Sequence, residues 1–520
     1  MRASQDQLRV GTEARMSTPL TRRHVLTATL LAGGVICLDP ALPSARATPP
    51  PPGSALEVDV TDHGAVADGM TDDTPAFRGA MAELAAGGGG TLVVPAGTYL
   101  VNETVPLASD VHITSNGAVL RKTAAPSVYA WFTSVSGSQQ GYGSGARNVR
   151  VDGLTFQADY EQPFTACAFA LNHAQDIVVE RCRFIQAQGS GHTFDLNGCR
   201  RITIRDCVFA GFLSRQASSA TSECIQLDQS MPGSLTHRDE DAGMDALFTR
   251  EVSVLDCEFL PLEVNGVRYP APNPIGAHAV REGHHYNAVE FRRNRVVDPI
   301  DSPSSPEQDE ANVRPWTGTI HFPAVRGLVV ADNEFVCTEP RSTRAISVVS
   351  VDYGALDTRP PLPDIEHGTF APNASADIEI RNNTFTGFAP SPGNPEQSVI
   401  WLRGIEDGHI SDVVIEDNQF SQGRDADGRG TWAVHAERCR QVWVAGNTFD
   451  DSCGAIELVA TSEFMVRKNT ISSGPSDSSL PAVVVTDGSS HGVVVHTTAS
   501  GFDPVVDTTG AGDDVRPGVN

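Results

Sequence analysis

Lysine is almost missing from this sequence of 520 residues, in which only Lys122 and Lys468 occur. A mechanism that depends on a lysine base therefore has almost no candidate residue. The cysteines form no short Cys-x-x-Cys pair, so their spacing does not predict a zinc site. No apolar run after residue 47 is long enough to span a bilayer. These absences argue against a structural zinc domain and against a membrane-spanning main body.

Residues 1–47 have the features of an export signal. Arg22 and Arg23 stand directly before the apolar run 25–38, and the small-x-small site Ala45-Arg46-Ala47 follows. We expect export by the twin-arginine pathway, cleavage after Ala47, and a secreted chain that does not insert into the membrane. A proline-rich linker, residues 48–56, follows the signal.

The charge balance is strongly acidic. The chain has 38 basic and 64 acidic side chains, and residues 1–47 hold six arginines and three acids. The mature chain therefore carries 32 basic and 61 acidic groups, a formal charge of −29. Such a charge repels nucleic acid and anionic membranes, and it opposes polyanionic ligands unless a cation bridges them. Solubility outside the cell, as a monomer, is the alternative explanation of the charge.

One pattern recurs ten times after residue 148: two apolar residues in alternation, then a ladder residue, then a large apolar residue. The last apolar positions are Phe156, Phe184, Phe209, Phe259, Val296, Phe335, Phe385, Phe420, Phe449 and Ile471. Alternation with period two predicts strands with one buried face, and a repeat of roughly 22–30 residues is typical of one solenoid coil. We therefore predict an all-β parallel β-helix over residues 102–500, followed by a C-terminal tail, residues 501–520.

The ladder position should form a column of stacked side chains inside the solenoid. Its members are Cys182, Cys207, Cys257, Asn294, Asn333, Asn383, Asn418, Asn447 and Asn469. Asparagine amides can hydrogen-bond to the same amide one coil above and below, and asparagine tolerates the left-handed turn that a coil corner needs. We interpret the three thiols as structural, because no base stands nearby to activate them. Nine cysteines remain after cleavage, so at least one stays outside any internal disulfide.

The N-terminal segment, residues 57–101, should cap the open end of the solenoid. Residues 73–86 read as an amphipathic helix with Phe77, Met81 and Leu84 on one face. The segment VTDHGAVADGMTDDTPAFRGAMAELAAGGGGTLVVPAGTYLV resembles the opening of the rhamnogalacturonase/epimerase-like pectate lyase superfamily. The resemblance implies the right-handed parallel β-helix of the pectin-lyase-like fold and a carbohydrate-related role. Hydrolases, lyases, epimerases and phage tailspikes share this opening, so it does not select a reaction.

The sequence lacks the three motifs of the usual polygalacturonases, Asn-Thr-Asp, Gly-His-Gly and Arg-Ile-Lys. This argues against galacturonan hydrolysis of the usual kind. Candidate chemistry instead lies on the strand that precedes each repeat. Two coils align without a gap at a shift of 25 residues, which fixes the register of that strand. One outward column should then contain Asn172, Asn197, Asp228, His278 and, after a long insertion, His321. Its neighbour should contain Ala170, Asp195, Gln226, Gly276 and Thr319.

Aligned acids, amides and imidazoles on a solvent-exposed sheet face suit a glycan-binding groove. We assign catalysis to Asp195, Asp228 and His278, with Asp195 as general acid and Asp228 as general base. The predicted substrate-binding residues are Asn172, Asn197, Gln226, His284, His285 and His321. The insertions at 229–250 and 261–273 could wall the groove. A solvated sheet face without function is the alternative.

Two further groups of residues are candidates for a structural or metal-binding role. His192 and Glu223 occupy matching positions before their strands and could form a structural pair one coil apart. The acidic runs 239–241, with Asp245, and 425–428 could hold calcium, although neither matches a full calcium loop and a solvated loop is the alternative. Apart from calcium, no metal or cofactor is predicted.

Three functions remain open from the sequence. The first is a glycoside hydrolase that cleaves a polysaccharide with an aspartate pair. The second is a polysaccharide lyase with an arginine base, such as Arg268 or Arg281, aided by calcium. The third is a non-catalytic glycan-binding surface protein. The polar groups predicted on one sheet face favour the first.

Overall fold

The computed structural model describes the residues in the ranges 56–122, 130–134, 139–158, 167–187, 192–212, 223–231, 243–277, 279–281, 283–300, 318–341, 343–351, 372–389, 398–424, 428, 430, 432–473 and 480–518. The predicted export signal and linker lie outside these residues, apart from Leu56. So do the acidic runs 239–241 and 425–427. All statements below on presence or absence refer to the described residues.

Three long parallel sheets, named A, B and C, wind around one core. Sheet A contains, in chain order, Glu57–Asp59, Gly90–Val94, Val111–Ser115, Arg147–Asp152, Gln175–Glu180, Arg200–Arg205, Arg250–Leu255, Tyr286–Arg292, Val325–Ala331, Ala376–Arg381, Ile410–Glu416, Cys439–Ala445, Ser462–Arg467, Val493–Val495 and Arg516–Pro517. Sheet B contains Asp68–Asp72, Gly97–Leu100, Ala118–Lys122, Thr155–Ala158, Arg183–Ile185, Val208–Ala210, Glu258–Leu260, Arg295–Val297, Glu334–Arg341, Thr384–Phe388, Gln419–Ser421, Thr448–Phe449, Thr470–Ser472 and Thr498–Ser500.

Sheet C lies on the third side of the solenoid. It contains Val105–Pro106, Ala130–Ser134, Cys167–Asn172, Phe194–Asn197, Glu223–Asp228, Asn273–Gly276, Ile320–Pro323, Ile346–Val349, Ile400–Arg403, Trp432–Glu437, Gly454–Val459, Val483–Thr486 and Val506–Asp507. Each strand pairs with the equivalent strand of the next coil, so the predicted right-handed parallel β-helix is confirmed. An antiparallel hairpin, Leu262–Val264 with Val267–Tyr269, projects from one coil.

The helix α1, Thr74–Ala86, caps the first coil. Phe77, Met81 and Leu84 are buried, as the amphipathic pattern predicts. The ring of Phe77 meets that of Tyr99, on the second strand of sheet B, edge to face at 5.5 Å. A 3-10 helix, Val60–His63, precedes α1. No helix among the described residues is long and apolar enough to cross a membrane.

The predicted apolar column is confirmed on sheet B, where all ten positions pair in register. Consecutive phenylalanine rings stack at 4.8 Å between Phe184 and Phe209 and at 4.7 Å between Phe209 and Phe259. The column therefore packs identical rings at the spacing of the coils, which adds aromatic stacking to burial.

The ladder is also confirmed. Asn418 Oδ1 accepts from the main-chain N–H and from Nδ2 of Asn383, both at 3.0 Å, and Asn418 Nδ2 donates to Asn447 Oδ1 at 3.0 Å. Its turn geometry differs from the prediction. The left-handed residue is the one before each ladder residue, with φ of 55° at Asn382 and 54° at Asp417. The side chain of the ladder residue points inward. There the amide of Asn418 bonds to main-chain groups that the turn leaves without a strand partner, the N–H of Asn383 and the carbonyl of Ile380.

All nine cysteines in the described residues are buried, and none of them forms a disulfide. Burial raises the pKa of the Cys182 and Cys207 thiols well above the usual value. They therefore stay protonated, which agrees with a structural role for the thiol column. The predicted C-terminal tail differs from the structure, because Val506–Asp507 and Arg516–Pro517 add strands to sheets C and A.

Candidate functional site

The outward face of sheet C carries the predicted polar columns. Asp195 pairs in register with Gln226, and Asn197 pairs with Asp228. Asn172 precedes Asn197 in the same column. The register deduced from the repeat is therefore correct across these three strands, and it places Asp195 and Asp228 diagonally on adjacent coils.

Hydrogen bonds from amides hold both carboxylates. Asn197 Nδ2 donates to Asp195 Oδ1 at 2.7 Å, and Gln226 Nε2 donates to Asp228 Oδ2 at 3.1 Å. The main-chain N–H of Gln229 donates to Asp228 Oδ1 at 2.7 Å. Asparagine and glutamine two residues away on the same strand face thus orient each acid, because alternate residues of a strand share a face.

The predicted solvent exposure of this face is wrong. Asp195 is 1% exposed and Asp228 is 2% exposed, and the amides of Asn172, Asn197 and Gln226 are buried as well. Alternation alone distinguishes the two faces of a strand but does not show whether a loop covers the outer one. The polar columns therefore form a buried cluster and not an open groove.

His321 belongs to a different column from the one predicted. It pairs with Gly276, so it follows Asp195, Gln226 and Gly276, the position predicted for Thr319. The insertion at 301–317 hides this shift of two residues in the sequence. His321 therefore lies in the column of the proposed acid, Asp195.

His321 and Glu223 form a buried imidazole–carboxylate contact. The two atoms His321 Nε2 and Glu223 Oε2 are 3.2 Å apart, and both side chains are at most 1% exposed. His321 Nδ1 donates to the carbonyl of Gly318 at 2.8 Å. Nδ1 therefore carries the ring proton, and Nε2 faces the carboxylate of Glu223.

His192 meets Glu223 through the main chain. Its Nδ1 donates to the carbonyl oxygen of Glu223 at 2.8 Å. The two residues lie on adjacent coils, and the structural role of the pair stays a prediction. This bond fixes the backbone at Glu223, and it leaves the carboxylate of Glu223 directed at His321.

Gly276 makes room for the ring of His321. A Cβ at position 276 would lie 2.7 Å from the ring atoms Cε1 and Nε2 of His321 and 2.9 Å from its main-chain oxygen. We expect Gly276→Ala to displace the ring and to lower the free energy of unfolding by about 1–3 kcal/mol, the usual cost of overpacking. Thermal melts and the NMR shifts of the His321 ring would test this. An unchanged ring environment in Gly276→Ala would contradict the placement.

The structure describes two of the other three predicted histidines, His284 and His285. His278 lies outside the described residues. The ring of His284 stacks on Phe248 at 5.2 Å. Burial lowers the pKa of His285 to about 4, so this imidazole is neutral at physiological pH. The proposed substrate-binding role of His284 and His285 stays a prediction.

Residues 243–249, which we call the strap, cross the end of sheet C. Met244 packs on the outward cluster of Ala130, Cys167 and Ala170, and Ala170 pairs in register with Asp195. The main-chain N–H of Thr249 donates to the carbonyl of Asp228 at 3.1 Å. The strap, which is the described end of the predicted wall at 229–250, therefore packs against sheet C beside the polar cluster.

Asp245 anchors the strap and does not sit in a metal cluster of the described residues. Its Oδ1 accepts from His173 Nε2 and its Oδ2 accepts from the N–H of Gly141, both at 2.8 Å. Burial alone would raise the pKa of Asp245, but these hydrogen bonds outweigh it and the pKa is lowered from 3.8. The carboxylate is therefore ionised at neutral pH.

We expect Asp245→Ala to lower the free energy of unfolding by about 1–3 kcal/mol at neutral pH, since charge-assisted hydrogen bonds are lost. A lowered carboxyl pKa stabilises the fold above the ordinary value and stops doing so as pH falls through the lowered value. The difference between parent and variant should therefore shrink below about pH 4, in line with the ordinary value of 3.8. Melting curves between pH 3 and 7 would show it. A difference that does not change with pH would contradict this anchor.

The outward columns of sheet C continue beyond the residues singled out from the sequence. Ser347, Trp401, His435 and Glu457 follow His321 in register. His435 Nδ1 and Glu457 Oε2 are 2.6 Å apart, which makes a second imidazole–carboxylate pair. The alternation of Val434-His435-Ala436 and Ile456-Glu457-Leu458 could have revealed it. The predicted lyase base Arg268 instead lies in the hairpin and pairs with Asp298.

The comparison with known proteins agrees with this architecture. Residues 57–268 match the family model described as rhamnogalacturonase A/epimerase, pectate lyase-like. The superfamily resemblance expected from the N-terminal segment is thus confirmed. Mannuronan C5-epimerase AlgE2 of Azotobacter vinelandii is 30% identical over 172 residues, which cover 29% of this chain and 17% of that protein.

Two further similarities concern a bacterial surface protein. Plasmin and fibronectin-binding protein A of Streptococcus pneumoniae is 48% identical over 58 residues, 11% of this chain and 8% of that protein. The crystal structure of PfbA, a surface adhesin of Streptococcus pneumoniae, superposes with a TM-score of 0.54 at 16% identity, over 85% of this chain and 91% of that one. This likeness shows the shared fold. The chain spans only a small part of the curated relatives' length.

Proposed function

We propose that this protein is a secreted glycoside hydrolase that cleaves a polysaccharide at the polar cluster of sheet C. The observation that carries the proposal is the diagonal placement of Asp195 and Asp228 on adjacent coils. Coils lie about 4.8 Å apart and two residues of a strand span about 6.6 Å, so the side-chain origins are roughly 8 Å apart. This separation suits an inverting glycosidase, in which a water fits beside the second carboxylate at about 6.5–9.5 Å.

In this mechanism Asp228 removes a proton from water, whose oxygen attacks the anomeric carbon. Amide donors hold both acids, and we assign the base to Asp228 because it accepts on both of its oxygens, from Gln226 and from the main-chain N–H of Gln229. Asp195 gives its proton to the oxygen of the leaving sugar as the glycosidic bond breaks. The product is a hemiacetal of inverted configuration. Met244 of the strap packs against Ala170 beside Asp195, so substrate entry requires the strap to move.

A panel of polysaccharides incubated with the mature protein tests the proposal. New reducing ends without ultraviolet absorbance are the expected result, and proton NMR of the first product should show the inverted anomer. A retained anomer would contradict the roles of the pair. Failure to release reducing ends from any substrate would contradict hydrolysis.

Proton abstraction from C5 of a uronate is the second candidate, supported by the His321–Glu223 pair and by the similarity to mannuronan C5-epimerases. Removal of that proton followed by loss of the C4 oxygen gives an unsaturated sugar, as in a lyase. Its return on the other face gives the epimer. With polymannuronate in deuterated water, deuterium at C5 without chain cleavage would indicate epimerisation, and ultraviolet absorbance would indicate elimination.

A further inference from the structure

A row of basic and amide side chains begins successive strands of sheet A. Its members, which we call the arginine row, are Arg147, Gln175, Arg200, Arg250, Asn287 and Arg326. Each pairs in register with the next, so the row is continuous over six coils. It contains no acidic residue. Arg147 and Arg326, at its two ends, are exposed.

The row has the geometry of a linear binding track. Neighbouring members are about 4.8 Å apart, so the six positions span about 24 Å in a straight line. That step is close to the advance of one sugar unit in an extended polysaccharide. Because the parallel coils are rigidly hydrogen-bonded, the spacing is fixed before any ligand arrives.

Neighbouring side chains hold the central guanidinium groups in place. The ring of Tyr142 lies 5.0 Å from the guanidinium carbon of Arg200 and 5.1 Å from that of Arg250. Gln175 Oε1 accepts from the Nη2 of Arg200 at 2.6 Å. Tyr142 is fixed in turn, since its hydroxyl donates to the carbonyl of Phe248 at 2.7 Å. Arg200 and Arg250 therefore lose little side-chain entropy on binding.

The acids around the row are mostly engaged by other arginines. Glu180 pairs with Arg150 and Arg205. The remaining contacts are Asp176 with Arg201, Asp152 with Arg181, Glu290 with Arg292, and Glu251 with Arg250 of the row itself. Arg147, Arg200 and Arg326 therefore keep a local positive charge in a chain whose net charge is −26, while Glu251 offsets the charge of Arg250. Distant acids weaken it little, since salt screens exposed charges beyond about 8 Å.

We propose that the arginine row binds an acidic polysaccharide with one carboxylate per sugar, as a second track on a different face from the sheet C cluster. Guanidinium groups recognise carboxylates with paired N–H donors. The amides of Gln175 and Asn287 bond within the protein, to Arg200 and Asp176 and to the carbonyl of His285, so recognition rests on the arginines. The occupant is an extended polyuronate chain that lies along the solenoid axis. The proposal does not depend on the chemistry at Asp195 and Asp228.

Binding of galacturonate oligomers to the full mature chain, made inactive by Asp195→Asn and Asp228→Asn, tests this track. Calorimetry should show affinity that rises from the dimer to the hexamer and then levels off, because the row has six positions. The added substitutions Arg200→Gln, Arg250→Gln and Arg326→Gln should weaken hexamer binding about tenfold, the scale of three exposed ion pairs. Higher salt should remove this difference.

A matched variant separates the row from general charge. Arg183→Gln, Arg295→Gln and Arg516→Gln remove the same charge from exposed positions away from the row, and this variant should bind the hexamer like the parent. Equal weakening in both triple variants would overturn the proposal, as would unchanged binding in the row variant. Affinity that does not depend on oligomer length would overturn the linear track. Circular dichroism confirms that each variant is folded.

Discussion

Asp228→Asn is expected to lower turnover at least about a hundredfold, the scale of general acid–base catalysis. The substitution keeps the shape of the side chain but removes the base that activates water. The N–H of Gln229 can still donate to the remaining oxygen, and the amide of Gln226 can turn to accept from the new NH2 group, so the fold should be unaffected. Asp195→Asn should lose as much, because the leaving sugar then lacks a proton donor. Initial rates of reducing-end release measure both.

An isosteric control separates catalysis from charge. Asp256 lies in a left-handed turn with φ of 55° and pairs with Arg293, and asparagine tolerates that conformation. Asp256→Asn should retain the activity of the parent. An active Asp228→Asn enzyme would contradict the aspartate pair as the catalytic centre. A substrate with an activated leaving group needs no proton donor, so it should restore the activity of Asp195→Asn but not that of Asp228→Asn.

Asn418→Ala should cause a large loss of stability. Its side chain serves the N–H and Nδ2 of Asn383, the carbonyl of Ile380 and Oδ1 of Asn447. A buried polar group left without a partner costs about 1–3 kcal/mol, and alanine leaves several in two neighbouring coils. We expect the free energy of unfolding to fall by at least about 3 kcal/mol on that scale, while activity per folded molecule stays intact.

The neighbouring Gln419 provides the comparison for this variant. It is exposed on the outer face of sheet B, and Gln419→Ala should change stability by no more than about 0.5 kcal/mol. Urea denaturation of the two variants and the parent measures the difference. Equal midpoints for Asn418→Ala and the parent would contradict the ladder.

The solenoid was predictable because its signals are local and repeated. The apolar column from Phe156 to Ile471 and the ladder from Cys182 to Asn469 are readable at a fixed offset in every coil, and each is confirmed in register. Helix α1 was predictable for a similar reason, since Phe77, Met81 and Leu84 follow a helical period. The same local logic also placed Asp195 and Asp228 on one face.

The state of the site depends on contacts that no local pattern encodes. The strap buries part of sheet C through Met244, which is far from Ala130 and Cys167 in the sequence. The shift of His321 arises because insertions between coils have no fixed length. The left-handed residue lies one position before each ladder residue. The chain must turn at Asn382 before the side chain of Asn383 can point into the core. Such features require the assembled coils.

The asparagine ladder also makes a coil an exchangeable module. The shortest step joins Asn447 to Asn469, 22 residues on, with hydrogen bonds of 3.0 Å from both the main-chain N–H and Nδ2 of Asn447. A second copy of residues 448–469 would present the same donors and acceptors at both of its faces, and would continue the apolar column as well. Chain length could therefore grow by duplication at this point, extending the three sheets by about 4.8 Å without disturbing the coils that carry Asp195 and Asp228.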